Sequence, residues 1–353
     1  MAGETVFLTG STGFVGFRTL RCLLEHGYRV RAAVRSDAKA ELVRSNFALK
    51  EATKDNLSFV VIPDFTIANA YDGGILDDVT YIVHVASPIP DLSNPDITNL
   101  EARFVQPAVA VTTNLLEAAR SAKQVKRVVI TSSVAGIVPS SLLLGVVTDQ
   151  QFGPHDRGEE LPAPYHDHVM LAYATSKVAA LVRAEAWVKK ENPPFDLIHI
   201  FPSYVLGKDP LVPSVAAFAQ GSPAALLNGI LGQHPPAPIN GAVVHIDDVG
   251  LAHVRALDPK VPGNRGFLLN AEDADTGFQW DHGKDLVAKF FPEAVKNGDL
   301  VNDGTTPTGP GRLDASETKS TLGIELKRFE EMVKETVGWY LEVLERERTG
   351  AKA

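Results

Sequence analysis

Over the first 200 residues, short apolar runs of β character alternate with segments of helical periodicity. The runs are Thr5–Thr9, Arg29–Val34, Leu57–Ile62, Tyr81–Ala86, Arg127–Thr131 and Phe195–Phe201. Between them lie amphipathic or Ala/Leu-rich stretches at Arg18–His26, Asn99–Ala122 and Met170–Lys190. Strands that are apolar almost throughout are covered on both faces. Spaced by helices, they predict a parallel sheet of the doubly wound α/β kind. After about residue 203 the pattern changes. Residues 207–242 are rich in Pro, Gly and Ala and close on HPPAPING. His245–Leu257 then reads as a helix, with Asp247 or Asp248 placed to cap it. A strand at Gly266–Asn270, a helix near Phe278–Phe291 and a long helix over about Ser316–Arg348 complete the chain. The expected division is a nucleotide-binding body, residues 1–203 with about 242–258. About 204–241 and 259–353 form a smaller C-terminal α/β lobe at the carboxyl edge of the sheet, where ligands of such folds bind.

Composition narrows the class. The chain has 353 residues, 44% hydrophobic and 22% charged, which is the balance of an ordinary globular protein. A net charge of −9 opposes a general nucleic-acid or anionic-membrane surface. No apolar run reaches the ~18 residues of a membrane span, and the N-terminus carries no leader pattern, so a cytosolic setting is expected. The one cysteine, Cys22, cannot form an intrachain disulfide and reads as a small buried hydrophobe.

The first βα turn carries the first chemical signal. Residues 6–16 read VFLTGSTGFVG, with Gly10, Gly13 and Gly16 three apart behind an apolar strand. Glycines between a strand and a helix start let a pyrophosphate approach the backbone N–H groups, and the helix dipole favours its charge. The tip of the second strand selects the cofactor. No acid stands there to bind a ribose 2′-hydroxyl; Arg35 does, with Lys39 four residues on. Two cations about one point suit a 2′-phosphate, hence NADP(H) rather than NAD. A solvated basic cluster is the alternative, and Arg31 has a place on the sheet surface.

Three further segments stand in order: ITSSVAG (130–136), AYATSK (172–177) and IFPSYVLG (200–207). The Tyr173-x-x-x-Lys177 spacing puts both side chains on one helical face. With TGSTGFVG, HVASP (84–88), PAVAVTTNLLEAA (107–119) and VHIDDVGLAHV (244–254), the chain resembles the extended short-chain dehydrogenases/reductases over most of its length. Within them it is most similar to NADPH-dependent aldehyde, ketone and methylglyoxal reductases and to dihydroflavonol 4-reductase-like enzymes. The resemblance implies a Rossmann-type sheet. It implies that Ser133 (Ser132 if the register slips), Tyr173 and Lys177 are catalytic. For the cofactor it implies the turn Gly10, Thr12, Gly13, Phe14, Val15 and Gly16, with Arg35 and Lys39 at the 2′-phosphate. Asp64 and Phe65 would flank the adenine, Val85, Ala86 and Ser87 would form a wall, and Thr131, Pro202, Ser203 and Val205 would line the nicotinamide end. Two departures stand out. Ala108 occupies the position where many relatives carry a fourth catalytic residue, Asn, and AVT (110–112) replaces a Gly-Thr pair. The aromatic-rich signature of cinnamoyl-CoA reductases is absent.

The expected chemistry is reduction of a carbonyl to an alcohol. Tyr173 gives the proton, with its pKa lowered by Lys177 and by the oxidised cofactor's charge. Ser133 hydrogen-bonds the oxygen as charge develops on it. The segments 137–168 and 207–240 are apolar more than charged and predict a cover over an uncharged, rather hydrophobic substrate. No metal is expected: His155, His166, Asp167 and His168 lack ligand spacing, and His245 and His253 suit packing and helix-end bonds. The competing readings are a retained-cofactor epimerase or dehydratase, an oxidative hydroxysteroid-type dehydrogenase and a non-enzymatic NADP sensor. The partner is a small molecule, and the chain is expected as a monomer or a homodimer.

Overall fold

The computed structural model describes residues 3–350 apart from 90–97, 144, 147, 166 and 167. Its elements follow the alternation of the sequence: β1 (Thr5–Thr9), α1 (Phe14–Glu25), β2 (Arg29–Val34), α2 (Asp37–Arg44), β3 (Leu57–Val61), β4 (Tyr81–His84), α3 (Gln106–Ser121), β5 (Arg127–Thr131), α4 (Ser140–Leu143), α5 (Val169–Glu191), β6 (Asp196–Pro202) and β7 (Tyr204–Leu206). Six of these strands and Arg265–Leu269 form one seven-stranded sheet, ordered β3-β2-β1-β4-β5-β6 and then Arg265–Leu269. Every pair in it is parallel. The order reverses between β1 and β4, which opens a crevice at the carboxyl ends of those strands, the Rossmann-type arrangement.

The strand pleat divides the core. In β1, Val6 and Leu8 pack with Phe17, Leu20 and Val249 on one face, while Phe7 packs with Ile82, Leu115 and Leu116 on the other. Both faces are dry, which is why the strands carry no polar alternation. Cys22 sits in the first of these clusters, and burial pushes its thiol up to about 11. A separate cluster of Phe218, Leu226, Phe278, Trp280, Phe329, Met332 and Trp339 holds the later elements together. The strand Ala242–His245 pairs in parallel with β7 and leads directly into the helix Ile246–Arg255, which packs on α1.

Several boundaries differ from the sequence reading. β4 stops at His84 because the Ala86 N–H turns back to Thr9 Oγ1 at 3.2 Å. α1 begins at Phe14, directly at the glycine turn, rather than at Arg18. The cap of Ile246–Arg255 is neither Asp247 nor Asp248. His245 Nδ1 accepts the Asp247 N–H at 3.0 Å, and the two carboxylates are drawn to Arg18 and to Lys327. The long C-terminal helix is two helices, Ser316–Leu322 and Phe329–Thr349, separated where Gly323 adopts φ +60°.

Arg127, at the start of β5, is 5% exposed. It donates two hydrogen bonds to the Asp196 carboxylate and one each to the carbonyls of Ala256, Asp258 and Val261. It thereby fastens the turn after Ile246–Arg255 to the amino edge of the sheet. Arg127→Met strands Asp196 and three carbonyls and should cost roughly 3–5 kcal/mol of unfolding free energy; a urea midpoint close to native would refute that.

Candidate active site

All the sequence-predicted site segments follow the carboxyl ends of parallel strands and therefore share one edge of the sheet. The glycine turn shows why three glycines stand there. Gly10 has φ +81°, and a Cβ on it would lie 2.7 Å from the Ala86 nitrogen. A Cβ on Gly16 would fall within the Gly10 carbonyl. Gly13 is different. Its backbone is extended, and a Cβ there would meet only the Gly10 oxygen at an ordinary 3.7 Å. Two of the glycines are required by the packing of β1, α1 and β4, whereas the third leaves clear space over the N-terminus of α1. That terminus has no side-chain cap and no acid in its first turn, the condition of an anion site. Thr12, Phe14 and Val15 are half-buried around it, and the Ser11 hydroxyl is buried without a partner.

Arg35 and Lys39 are exposed at the tip of β2 and the start of α2, and neither pairs with a carboxylate among the described residues. Arg31 is spent elsewhere, bidentate on Asp78 at 2.7 and 3.1 Å. Asp64 lies near Arg35; hydrogen bonds from the Thr66 hydroxyl and N–H hold its carboxyl below the usual range, with Arg35 adding to this. Phe65 turns its ring into the core against Tyr71, so an adenine there would meet its backbone rather than its face. The Thr131 hydroxyl is engaged by His253 Nε2 at 2.7 Å. Pro202 ends β6, the Ser203 N–H donates to Leu269 O, and Val205 is buried in β7.

Tyr173 and Lys177 lie one turn apart on α5, with Lys177 Nζ 5.4 Å from the Tyr173 ring centroid. Lys177 Nζ donates to Ser87 Oγ at 2.9 Å, which ties α5 to the segment after β4. Ser133 begins a short turn; its Oγ accepts the Ala135 N–H at 3.2 Å, and its side chain lies close enough to the Tyr173 phenol to act on its ionisation. Ser132 is buried against Gly136 and lines a cavity behind Lys177, so the structure pairs Ser133, not Ser132, with Tyr173.

The electrostatics of this group run against expectation in one respect. Burial raises the Tyr173 pKa, and the nearby Ser133 side chain offsets this only in part. Burial also lowers Lys177 to about 8. In the free protein the lysine does not pull the phenol down, because desolvation disfavours both charged forms. Tyr173 is thus held as a protonated acid. Tyr204, which the sequence motifs did not single out, neighbours Tyr173, is itself pushed up to about 12 by burial, and meets Trp280 edge-on at 5.6 Å. Its place directly after Ser203 in FPSYVLG was the available signal.

The other histidines have local duties. His253 Nδ1 bonds Val249 O at 2.7 Å, and His155 pairs with Glu317. His166 and Asp167 lie outside the described residues. Ligand atoms of His245, Asp247 and Glu335 lie within 4.8 Å of one another. The Lys327 ammonium already joins the two carboxylates, at 2.7 and 3.3 Å, and supplies the positive charge of that group.

A doubly wound sheet with a glycine-turn anion site and a Ser–Tyr–Lys group at its switch point defines a dinucleotide-dependent class of protein. Residues 6–267 match the model of the NAD dependent epimerase/dehydratase family, and the chain belongs to that family. It is 40% identical to ketoreductase CTB6 of Cercospora nicotianae over 98% of both chains. It is 28% identical to aldehyde reductase 2 of Sporidiobolus salmonicolor, over 95% of this chain and 96% of that one. A crystal structure of Gre2 from Candida albicans in complex with NADPH superposes with a TM-score of 0.76 at 26% identity, covering 96% of this chain and 99% of that one. Among the described residues, no helix is long and apolar enough to cross a membrane.

Two measurements test this geometry. Gly13→Ala should leave the urea midpoint near native yet weaken dinucleotide binding roughly tenfold or more, whereas Gly16→Ala should fail to fold stably; equal effects on stability would contradict the division of roles. The lowered Lys177 pKa has a definite sign. Between about 8 and the ordinary 10.5 the unfolded chain holds a proton that the folded one has lost, so stability rises with pH across that window. The gap in melting temperature between native protein and Lys177→Met should therefore change steadily from pH 8 to 10.5, the native chain gaining relative to the variant; a constant gap counts against it.

Proposed function

We propose that the chain is an NADPH-dependent reductase that converts an aldehyde or ketone carbonyl to an alcohol. The observation that carries this reading is the buried, protonated Tyr173 phenol, beside Ser133 and one turn from Lys177, at the same sheet edge as the glycine turn. The residues fit the cofactor. Gly13 clears space at an uncapped helix terminus, the Ser11 hydroxyl is buried without a partner, and the two exposed cations Arg35 and Lys39 are in no ion pair within 4 Å among the described residues where a 2′-phosphate would bind. When bound, NADPH supplies the hydride. The names of the relatives, a ketoreductase and an aldehyde reductase, and the NADPH in the Gre2 structure agree with this reading.

The chain's own residues then do the following. Tyr173 donates its proton to the carbonyl oxygen. Ser133 has its oxygen occupied by the Ala135 N–H and keeps its hydroxyl proton for the same substrate oxygen as charge develops there. Lys177, anchored by Ser87, supplies a positive charge beside the phenol once Tyr173 has given up its proton. Tyr204, the aromatic neighbour of Tyr173, offers apolar surface beside the reacting group, which favours an uncharged, rather hydrophobic substrate over a sugar nucleotide. The body of residues 1–203 with 242–258 holds the cofactor, and the later segments cover the substrate. A cytosolic setting and a monomeric or homodimeric state complete the proposal.

The test is NADPH consumption against aldehydes, α-dicarbonyls, β-keto esters and aryl ketones. Tyr173→Phe should abolish turnover while still binding NADPH, and Ser133→Ala should lower kcat by about 10²–10³. Native turnover in Tyr173→Phe, or NADPH binding without reduction of any panel member by the native chain, would overturn the reading.

A further inference from the structure

β5 ends on Thr131, and there the strand loses its neighbour on one side. Its pairing with β4 stops at Ile130, opposite His84, whereas β6 runs on beside Thr131 through Ile200. The Ser132 N–H makes a last ladder bond to the Ile200 carbonyl at 2.8 Å. Ser133 follows at once. The chain then turns through Val134–Gly136, where a Cβ on Gly136 would lie 3.5 Å from the Lys177 backbone. The turn after Ser133 is thus seated on α5. The chain before it is held by β6 and by the Thr131 side chain.

That side chain meets His253, on the helix Ile246–Arg255, with Oγ1 2.7 Å from Nε2. The surroundings of the ring fix which atom donates. His253 Nδ1 lies 2.7 Å from the Val249 carbonyl oxygen, which only accepts, so Nδ1 carries a proton. The ring is 0% exposed, and burial lowers its pKa to about 4, so it is neutral and Nε2 bears only a lone pair. The Thr131 hydroxyl therefore donates to Nε2. Both ring nitrogens are satisfied, as a buried imidazole requires. The bond to Val249 stays within the helix; the bond to Thr131 crosses 122 positions of chain to the carboxyl end of β5. The same helix is bonded through Asp247 to Arg18 and through Asp247 and Asp248 to Lys327. The strand Ala242–His245 that leads into it pairs with β7, which carries Tyr204.

We propose that His253 is a positioning residue for Ser133. By accepting the Thr131 hydroxyl it fixes the end of β5, and so the Ser133 side chain, against the helix to which the later elements are tied. The inference deepens the reductase reading and rests on its assignment of Ser133. His253 is wholly buried and acts only through Thr131. A displacement of about 1 Å at a catalytic group costs up to about 10²-fold in rate. Because Ser133 acts on charge that develops on the carbonyl oxygen, the loss falls on kcat rather than on substrate binding.

Two readouts test this. Asn sets its amide near the Nδ1 position of a histidine and Gln sets it near Nε2. His253→Asn therefore keeps the Val249 bond and strands the Thr131 hydroxyl, whereas His253→Gln offers that hydroxyl an acceptor. In the free protein, His253→Asn should speed hydrogen exchange of the Ser132 and Ala135 amides about tenfold, with the β1 amides unchanged, and His253→Gln should return them to near native. In steady-state reduction with NADPH, His253→Asn should lower kcat about tenfold, with the carbonyl KM and the NADPH Kd within about twofold of native, and His253→Gln should recover most of the loss. Thr131→Val breaks the same bond, so adding His253→Asn to it should lower kcat no further. Should His253→Asn fail to fold, Thr131→Val carries both readouts, and native exchange or native kcat in it overturns the proposal. Equal losses in the Asn and Gln variants mark a packing role and overturn it too, as do native exchange in His253→Asn or additive losses in the double variant. If the native chain reduces no carbonyl, the reductase reading fails, and the amide exchange still decides whether His253 holds this segment.

Discussion

Three segments of backbone meet in this molecule with no space for a side chain between them. The end of β1 at Gly10 lies against the Ala86 N–H after β4, and the first turn of α1 at Gly16 lies on the Gly10 carbonyl. Interiors packed to crystal density cannot absorb a misplaced methyl at such a point. The rest of the site follows from it. The close approach fixes where α1 starts, and so aims its uncapped N-terminus at the crevice. It also fixes where β4 ends, and so sets Ser87 within reach of Lys177 on α5.

Around that junction, burial shapes the acid–base chemistry. One cause, removal from water, moves the two central groups in opposite directions: the Tyr173 phenol up and the Lys177 ammonium down to about 8. The result suits the proton-donor role proposed for Tyr173 in reduction. Pairing with Lys177 acts on the phenolate that follows rather than on the resting phenol.

A charged network binds the later elements to this body. Arg18 on α1 and Lys327 ahead of the C-terminal helix both bond Asp247, and Lys327 reaches on to Glu335. Lys327 also gives its backbone N–H to Asp248. The part of the chain that carries Trp280 and the C-terminal helix is therefore anchored to the helix that follows the glycine turn. The C-terminal elements and the glycine-turn helix are held in one register.

The sequence by itself determined the alternation of elements and the ranges of β1, β2 and β5 to the residue. Strands without polar alternation, and glycines where no Cβ fits, are local signals with one physical solution. It also singled out Ser133, Tyr173 and Lys177. What it left open depended on contacts distant in the chain. Which of Ser132 and Ser133 lies beside the Tyr173 phenol depends on packing against a helix forty residues further on. His245 caps a helix in place of the two aspartates after it because Arg18 and Lys327 claim those carboxylates. His84 and His199, 115 positions apart, come to flank Ile130 on one face of the sheet only because β4 and β6 pair with β5 in register. Local pattern fixes which elements form, since each residue's conformational and burial preferences act within a few positions. Which polar atoms meet in the core is a property of the assembled sheet, because only packing brings those atoms within hydrogen-bonding distance.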